Sequence, residues 1–265
     1  MPDVTSRPPG RPSASAPSLR EQPLADAAVP RMELVEWSER YGIVAGITTR
    51  GHGFSLGLWS DEGVGQVMSR WRAVGAAVRS RFPGMILAHQ VHGTVVQWHP
   101  QATPGWLLLD SVDGHATGAR GQLLTITVAD CIPVYLVVPE MRVVALLHAG
   151  WRGVAGRILE RGVEVLRQAA SARPGDIVMH CGVGICGACY EVGSEVLSQV
   201  TGKAEAAPGR VDLRGVLAQQ GQALGLGHIT LSPWCSAHDR AQFFSHRASA
   251  GRDGRMIAYA GVPLA

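Results

Sequence analysis

The sequence lacks any apolar run long enough to cross a membrane. A transmembrane helix needs about 20 consecutive apolar residues, whereas the longest apolar runs here, such as VVALL at 143–147, are far shorter. The first 30 residues also lack the continuous apolar segment that forms the centre of a secretory signal. These absences predict a cytoplasmic protein with no membrane partner.

Paired cysteines and blocks of one charge are also missing. The chain has five cysteines, an odd number, which excludes a framework in which every cysteine is paired. The 24 basic and 21 acidic side chains are scattered along the chain. Because no basic block alternates with aromatic residues, the sequence predicts no nucleic-acid partner. A reducing cytoplasm fits the unpaired thiols.

Apolar material is plentiful, with 46% hydrophobic and 17% charged residues, and it is enough for a sizeable core. Residues 1–30 are rich in Pro, Ser and Ala and show no hydrophobic periodicity. They are predicted to form a disordered leader, with a targeting role as the alternative. Residues 31–265 are predicted to form one domain.

Predicted strands and helices mix without strict alternation, which favours a layered α/β fold with mixed sheets. Residues 142–150 predict a strand, and 151–172 predict a single helix with apolar residues on its inner face. Residues 242–261 predict a hairpin around a Gly-containing turn. Pro133 lacks an amide hydrogen, so a break or sheet edge is expected nearby.

Three residues stand out as candidate ligands. His92 lies in the apolar run LAHQVHGTVVQ (87–97), Cys131 lies beside the predicted strand break, and His148 ends the strand before a Gly-flanked turn. Strand ends are rigid and open to solvent, which suits a reactive site. Taken alone, His92 also fits an ordinary half-buried histidine, and Cys131 fits a small buried hydrophobe. Their spacing does not match a compact zinc finger.

The order of several motifs resembles that of the laccase-domain family, whose members are described as polyphenol oxidases, purine nucleoside phosphorylases and peptidoglycan editing factors. The resemblance spans about residues 42–260. It implies a single domain with an α/β/β/α layered fold of the cytotoxic necrotizing factor/laccase-domain type. The motifs that carry it are TTRGHGFS (48–55), HQVHGTVV (89–96), TVADCIPVYL (127–136), HAGWRGVAGRIL (148–159), GICGACYEV (184–192) and FFSHR (243–247).

The resemblance implies that His92, Cys131 and His148 hold a zinc ion with one open position, although copper could bind in vitro. It further implies phosphorolysis of adenosine, inosine, guanosine and methylthioadenosine, together with deamination of adenosine to inosine. A zinc with an open position lowers the pKa of bound water to about 7, which would provide hydroxide for attack on adenosine. The sequence departs from the family pattern at His52, at His246 and at Ala188, which replaces the first cysteine of a Cys-Cys pair.

Three further residues are assigned with alternatives left open. Asp130 is a candidate catalytic residue that could orient a metal ligand, or it could be a turn residue. Arg50, before a Gly-rich turn, and Arg152, at a predicted helix start, are candidates for binding phosphate. Either arginine could equally be a surface charge.

Competing functions rest on the same residues. A thiolate at Cys131 beside His148 could act as a nucleophile on a muropeptide precursor, without metal. Copper oxidase activity needs several copper ions, and the ten histidines contain no His-x-His pair. Cys181, Cys186 and Cys189, with Cys235 as a fourth ligand, match the spacing of a plant-type 2Fe–2S cluster. The preferred nucleoside, the general acid or base, and the oligomeric state are left open.

Overall fold

A computed structural model describes residues 20–24, 28–204 and 207–265. The strands in these ranges are β1 Gln22–Pro23, β2 Arg31–Glu33, β3 Val44–Thr48, β4 Gly84–His89, β5 Val96–His99, β6 Gly105–Asp110, β7 Gly114–Thr117, β8 Gln122–Val128, β9 Ile132–Val138, β10 Val143–Ala149, β11 Val178–Cys181, β12 Glu191–Val192, β13 Gly209–Arg210, β14 His228–Leu231 and β15 Met256–Val262. The α-helices are α1 Val35–Tyr41, α2 Val64–Val78, α3 Trp151–Ala155, α4 Ile158–Ala170, α5 Ser194–Thr201 and α6 Leu213–Ala223.

Two mixed sheets form the centre of the domain. The larger sheet has the strand order β1-β2-β3-β15-β8-β4-β6, in which β4 runs parallel to β6 and β8 and the other neighbours are antiparallel. The smaller sheet has the order β14-β11-β9-β10-β7-β5. Its β9 and β10 form an antiparallel hairpin, and β14 lies parallel to β11. Strands β12 and β13 pair separately.

The sheets pack against each other, and helices cover both outer faces. Ile126 and Ala258 of the larger sheet share a buried core with Leu146 of the smaller one. The outer face of the smaller sheet buries Leu147 against Leu159 of α4. The helix α2 covers the outer face of the larger sheet. The predicted α/β/β/α layering with mixed sheets is therefore confirmed.

The helix α2 shows how an apolar stripe positions an element. Val67, Trp71, Val74 and Val78 are all buried and recur three or four residues apart, so they lie on one helical face. The indole nitrogen of Trp71 donates a hydrogen bond to the carbonyl of Leu56 at 3.0 Å. This bond satisfies the polar atom of a fully buried side chain.

The prediction of one helix over 151–172 is wrong in detail. The segment forms α3 and α4, with a break at Gly156 and Arg157. Arg157 has a φ of 67°, in the left-handed region that does not continue an α-helix. A Cβ at Gly156 would lie 2.8 Å from Thr94, so this bend brings the backbone close to the loop before β5.

The prediction of a hairpin over 242–261 is also wrong. Residues 242–255 form turns, and β15 is a central strand between β3 and β8 of the larger sheet. The turns are fixed by Asp253, whose carboxylate accepts hydrogen bonds from the Arg50 side chain and the Ser245 amide. Local turn residues could not show that the partners of β15 are far away in sequence.

The predicted leader falls largely on residues 1–19 and 25–27, which lie outside the described ranges, and there it stays a prediction. Its described end is folded, since β1 pairs with β2 and Glu21 is buried. The folded part therefore begins before the expected boundary at residue 31. Among the described helices, none combines the length and apolar character needed to cross a bilayer.

Candidate metal centre and cleft

The three predicted ligands lie where strands end. His92 is in the loop between β4 and β5, and Cys131 is in the short turn between β8 and β9. His148 is near the end of β10, where it pairs directly with Pro133 of β9. The antiparallel register of β9 and β10 therefore places the last residues of β10 beside the turn that carries Cys131.

These side chains, called here the candidate centre, converge. One ligand atom from each of His92, Cys131 and His148 lies within 4.8 Å of the others. The two imidazole rings have centroids 4.9 Å apart and planes at 68°. His148 is buried, Cys131 is half-buried and His92 is exposed. The candidate centre is therefore buried at His148 and open to solvent at His92.

Asp113 orients two of the three ligands of the candidate centre, His148 and His92. Its Oδ1 accepts a hydrogen bond from His148 Nδ1 at 2.9 Å, which leaves Nε2 of His148 as the nitrogen free to bind a ligand. The same carboxylate accepts hydrogen bonds from the backbone amides of Val91, His92 and Gly93. These bonds hold the backbone of His92, whose φ of 59° is unusual for a non-glycine residue.

Sequence reasoning missed Asp113. A metal-binding histidine commonly donates its other ring N–H to a carboxylate or carbonyl group. His148 as a predicted ligand therefore implies a partner of this kind, and an aspartate or glutamate is a candidate. The motif SVDGHAT (111–117) supplies one between two strands. Only the antiparallel pairing of β7 with β10 shows that Asp113 lies next to His148.

Charges at the candidate centre stabilise a thiolate. Burial raises the pKa of Cys131, but the charge and hydrogen bonds of His148 and His92 lower it to about 6. Burial lowers the pKa of His148, but the Cys131 thiolate and Asp113 raise it to about 9. By themselves, these groups therefore form a thiolate–imidazolium pair near neutral pH.

A glycine makes room for the two ligands on either side of it. A Cβ at Gly150 would lie 2.9 Å from His92 Cδ2 and 3.0 Å from Cys131 Sγ. Both contacts are shorter than side chains tolerate without shifting. Gly150, the first glycine of HAGWRG, therefore lets His92 and Cys131 come close to the backbone without shifting.

Asp130 has other partners than the metal ligands. Its carboxylate accepts hydrogen bonds from the Ser236 hydroxyl and the Arg247 amide, both at 2.6 Å. Its carbonyl accepts a bond from Ile185 N, and its φ is 86°. Of the two interpretations left open, the contacts favour the turn residue. Asp130 also lines the cleft described next, and a catalytic role for it stays a prediction.

The candidate centre lies in a cleft of about 570 Å³. This volume is within the usual range for small-molecule sites, about 300–1,000 Å³. Three arginines line the cleft: Arg152, Arg247 and Arg255. The last two were missed as cleft residues: Arg247 ends the FFSHR motif, but the motif does not show that its side chain reaches the cleft. Aromatic rings also line it, those of Trp59, Trp151 and Tyr190.

Of the other residues predicted to contact the substrate, some line the cleft and some do not. Arg50 is not among the residues that line it; the side chain pairs with Asp253 at 3.1 Å and stacks on Phe244. That placement does not support phosphate binding at Arg50. His246 lines the cleft, whereas His52 lines a separate, smaller pocket.

Comparison with known proteins identifies the family. The sequence model described as multi-copper polyphenol oxidoreductase laccase matches residues 42–263. The chain belongs to this laccase family. The match confirms the resemblance drawn from the motifs.

Several proteins that are similar to this chain are named for activities on nucleosides. "Purine nucleoside phosphorylase YlmD" of Geobacillus stearothermophilus is 32% identical over 83% of this chain and 90% of its own length. "Purine nucleoside phosphorylase" of Deinococcus radiodurans is 40% identical over 66% of this chain and 69% of its own length. "Adenosine deaminase RL5" of an unknown prokaryotic organism is 34% identical over 56% of this chain and 61% of its own length.

The fold is shared with a solved structure. The crystal structure of YlmD from Geobacillus stearothermophilus superposes with a TM-score of 0.81, at 29% identity, over 92% of this chain and 99% of that one. This agreement supports the layered arrangement that positions the candidate centre.

The donor set of this family member fits a single metal ion. Two imidazoles and one thiolate from separate segments match the three-ligand sites that keep one position open for substrate. The hydrogen bond from His148 to Asp113 is the kind that orients a metal-binding histidine. The residues at the candidate centre therefore fit the metal that the family implies.

Proposed function

We propose that the protein is a zinc-dependent enzyme of purine nucleosides. It would cleave adenosine, inosine and guanosine with phosphate, giving the free base and ribose 1-phosphate, and methylthioadenosine, giving adenine and 5-methylthioribose 1-phosphate. It would also deaminate adenosine to inosine. The observation that carries the proposal is the convergence of His92, Cys131 and His148 in a cleft of nucleoside size. The names of the relatives supply the substrate class.

Zinc at the candidate centre would supply Lewis-acid polarisation where the reaction takes place. The residues prepare this position in two ways. Asp113 holds the His148 ring so that Nε2 faces the ligand site. The lowered pKa of Cys131 provides the thiolate, the form in which cysteine binds metal.

Phosphate would bind at the arginines of the cleft. In the described part of the chain, none of Arg152, Arg247 and Arg255 forms an ion pair with a carboxylate. Arg152 stacks on Trp151 and Arg247 stacks on Tyr190, which orients both guanidinium groups without neutralising them. Their charge favours an anionic co-substrate within the cleft.

The purine base would bind against aromatic surfaces of the same cleft. Trp59 and His89 have ring centroids 4.8 Å apart, and both line the cleft. Trp59 is 53% exposed, so much of its ring is free to cover an incoming base. Stacking on a tryptophan tolerates several purines, which agrees with the broad substrate range proposed.

A phosphate-dependence assay on adenosine tests the proposal. Adenine, hypoxanthine and inosine are followed separately, with and without phosphate. Free adenine that forms only with phosphate establishes phosphorolysis, and inosine that forms without phosphate establishes deamination. If neither product forms with the zinc-loaded protein, the proposed function is wrong.

Two variants assign the activity to the cleft. Cys131→Ala is expected to abolish both reactions, since it removes a metal ligand. Arg152→Ala is expected to raise the KM for phosphate while leaving deamination unchanged, because only phosphorolysis uses the anion. The matched control is Arg72→Ala, which changes an exposed arginine of α2.

One observation favours a second candidate function. The Cys131–His148 pair supports a thiol nucleophile of the kind that hydrolases use. The family resemblance supplies the proposed substrate, a muropeptide precursor with a misincorporated amino acid. Full hydrolysis of the muropeptide precursor after complete metal removal would support the thiol mechanism. Loss of activity that zinc restores would support the metal mechanism.

The copper oxidase activity in the family's description finds less support. In the described ranges, two groups of three or more His, Cys, Asp or Glu residues are placed to bind metal, and together they contain three histidines. A trinuclear copper cluster draws on more imidazoles than these groups provide. Turnover of a phenol by the copper-loaded protein would restore that alternative.

A further inference from the structure

A second cluster of metal-binding side chains lies outside the candidate centre. The loop after β11 contains Cys186 and Cys189, and the loop after β14 contains Cys235 and His238. The four residues form a C-x₂-C pair and a C-x₂-H pair. Such pairs supply the ligands of structural zinc sites in many unrelated folds.

The four ligand atoms converge on one point. They all lie within 4.8 Å of one another. Nδ1 of His238 is 3.7 Å from Cys186 Sγ, and Nε2 of the same ring is 3.1 Å from Cys189 Sγ. A tetrahedral zinc with bonds of about 2.3 Å to sulfur and about 2.0 Å to nitrogen separates its ligand atoms by about 3.5–3.8 Å. A small adjustment of side chains would therefore complete the site.

One backbone bond links the two pairs of ligands. The Cys235 sulfur accepts a hydrogen bond from Cys186 N at 3.3 Å. Burial and the neighbouring thiols raise the pKa of Cys189 and Cys235. A bound cation would offset the repulsion between thiolates held so close together, because metal ions deprotonate the thiols that bind them.

The fold explains why the two pairs meet. Strands β11 and β14 are parallel neighbours, so their carboxyl ends lie at the same edge of the smaller sheet. Beyond the strands, Gly184 pairs with Cys235, and Ser236 N donates to the Gly184 carbonyl at 3.1 Å. The two loops are thus aligned by backbone bonds before any ligand binds.

The spacing C-x₄-C-x₂-C had offered a 2Fe–2S cluster as an alternative. Cys181, its first member, lies within β11, is fully buried and is not part of the converging group. His238 takes the fourth position instead. Three thiolates and one imidazole are the ligands of closed zinc sites, in which the protein fills every position.

We propose that Cys186, Cys189, Cys235 and His238 bind a structural zinc ion that joins the loops after β11 and β14. The site, called the Cys3His site, is separate from the candidate centre and does not depend on the proposed function.

The Cys3His site would hold one wall of the cleft. Ile185 and Tyr190, on either side of the first pair, line the cleft. Ser236, inside the second pair, donates a hydrogen bond to Asp130 at 2.6 Å. Fixing these loops would therefore fix the turn that carries Cys131, and the two metal sites would be coupled through Asp130.

Elemental analysis of the full chain, purified under reducing conditions, tests the Cys3His site. About two zinc ions per chain are expected if both sites fill. His238→Ala is expected to lose one of them, and His92→Ala the other. The matched control is His228→Ala, which changes an exposed histidine in β14. A zinc content that His238→Ala leaves unchanged overturns the proposal.

The variants also separate this proposal from the proposed function. If the zinc content falls with His238→Ala but not with His92→Ala, the Cys3His site stands and the metal at the candidate centre fails. The opposite result leaves the candidate centre intact and removes the Cys3His site.

Cobalt substitution gives a test that does not rely on His238→Ala folding correctly. In the His92→Ala protein, Co²⁺ alone is expected to give intense thiolate-to-metal charge-transfer bands and the visible bands of tetrahedral cobalt. The intensity should correspond to three thiolates. Octahedral cobalt without charge-transfer bands overturns the proposal.

A disulfide bond is the other explanation for cysteines that lie so close together. Thiol titration of the protein, denatured and treated with a chelator, tests this alternative. All five cysteines are expected to react, because all are free. Two fewer reactive thiols, with a cross-link mapped among Cys186, Cys189 and Cys235, would overturn the proposal.

Discussion

Gly150 gives the candidate centre the space in which two of its side chains meet. It precedes α3 with φ −73° and ψ 172°, a conformation that any residue adopts, so the need for glycine is steric. Gly193 precedes α5 with nearly the same angles, φ −69° and ψ 167°, but a Cβ there meets nothing within 4 Å. Because the two glycines share a backbone conformation and differ in the space around them, a comparison of their alanine variants isolates the steric effect of the added methyl group.

Gly150→Ala is expected to weaken zinc binding at the candidate centre, because the new methyl group would push His92 and Cys131 apart. A loss of about 10–100-fold is expected, the range found when neighbours of metal ligands are changed. Competition with a chelator measures it, in a His238→Ala background that removes the Cys3His site. Gly193→Ala should bind zinc as the parent does, and equal affinities in the two variants would refute the steric explanation.

The ionisation of Cys131 depends on the histidines beside it. Because its pKa is lowered from 9.0 to about 6, the thiolate persists as the pH falls until about 6. In chelator-treated protein, alkylation at Cys131, mapped by mass spectrometry, should be half-maximal near that pH. His148→Ala should move the midpoint upward, since burial then acts against the thiolate with less compensation. An unchanged midpoint in this variant would contradict the pairing of Cys131 with His148.

At the scale of the element, the glycines inside helices differ in what surrounds them. In α4, a Cβ at Gly162 would lie 2.7 Å from Leu147 Cδ1 and 3.3 Å from Leu136 Cδ1. In α2, a Cβ at Gly75 would meet nothing within 4 Å. Gly162 allows α4 to pack closely on the smaller sheet, whereas Gly75 has no such role.

Alanine substitution should therefore have opposite effects in the two helices. Gly75→Ala is expected to raise the free energy of unfolding by about 0.5–1 kcal/mol, because it restricts the unfolded chain. Gly162→Ala is expected to lower it by about 1–3 kcal/mol through overpacking. Denaturant unfolding of both variants measures the difference, and a stabilised Gly162→Ala protein would show that α4 can shift without cost.

At the scale of the whole molecule, Glu21 joins the two sheets. It directly precedes β1 of the larger sheet, but its carboxylate contacts His180 Nε2 at 3.1 Å and the Ser232 hydroxyl at 2.8 Å, both on the side of the smaller sheet. Burial raises the pKa of Glu21, but the charge of His180 and the hydrogen bonds lower it below its ordinary value of 4.5. The carboxylate is therefore stabilised by folding.

Glu21→Gln is expected to lower the free energy of unfolding by about 1–3 kcal/mol. One of the two carboxylate oxygens that bond His180 Nε2 and the Ser232 hydroxyl becomes an amide nitrogen, which cannot accept a hydrogen bond. For a lowered carboxyl pKa, the stabilisation is present above pH 4.5 and is lost as the pH falls through the folded-state value. The difference between parent and variant should thus shrink in acid. Denaturant unfolding at several pH values measures it, with the exposed Glu39→Gln as control. A pH-independent difference would contradict the role of the charge.

The sequence by itself determined the elements whose pattern is local and the identity of the candidate ligands. The apolar stripe of α2 and the break near Cys131 follow from residue spacing and from Pro133. The motifs around His92, Cys131 and His148 identified the family, and the layered fold came with it. Periodicity and motif order are properties of short segments, so they are readable without coordinates.

Tertiary structure alone decided which distant residues meet. Asp113 meets His148, and Arg247 and Arg255 line the cleft, through strand pairing and turns. The FFSHR motif contains Arg247, but the motif does not show what this side chain contacts. The central position of β15 and the replacement of Cys181 by His238 in the second cluster have the same origin. The reason is physical: hydrogen bonds and packing between remote strands fix these contacts, and their energy depends on neighbours in space rather than in sequence.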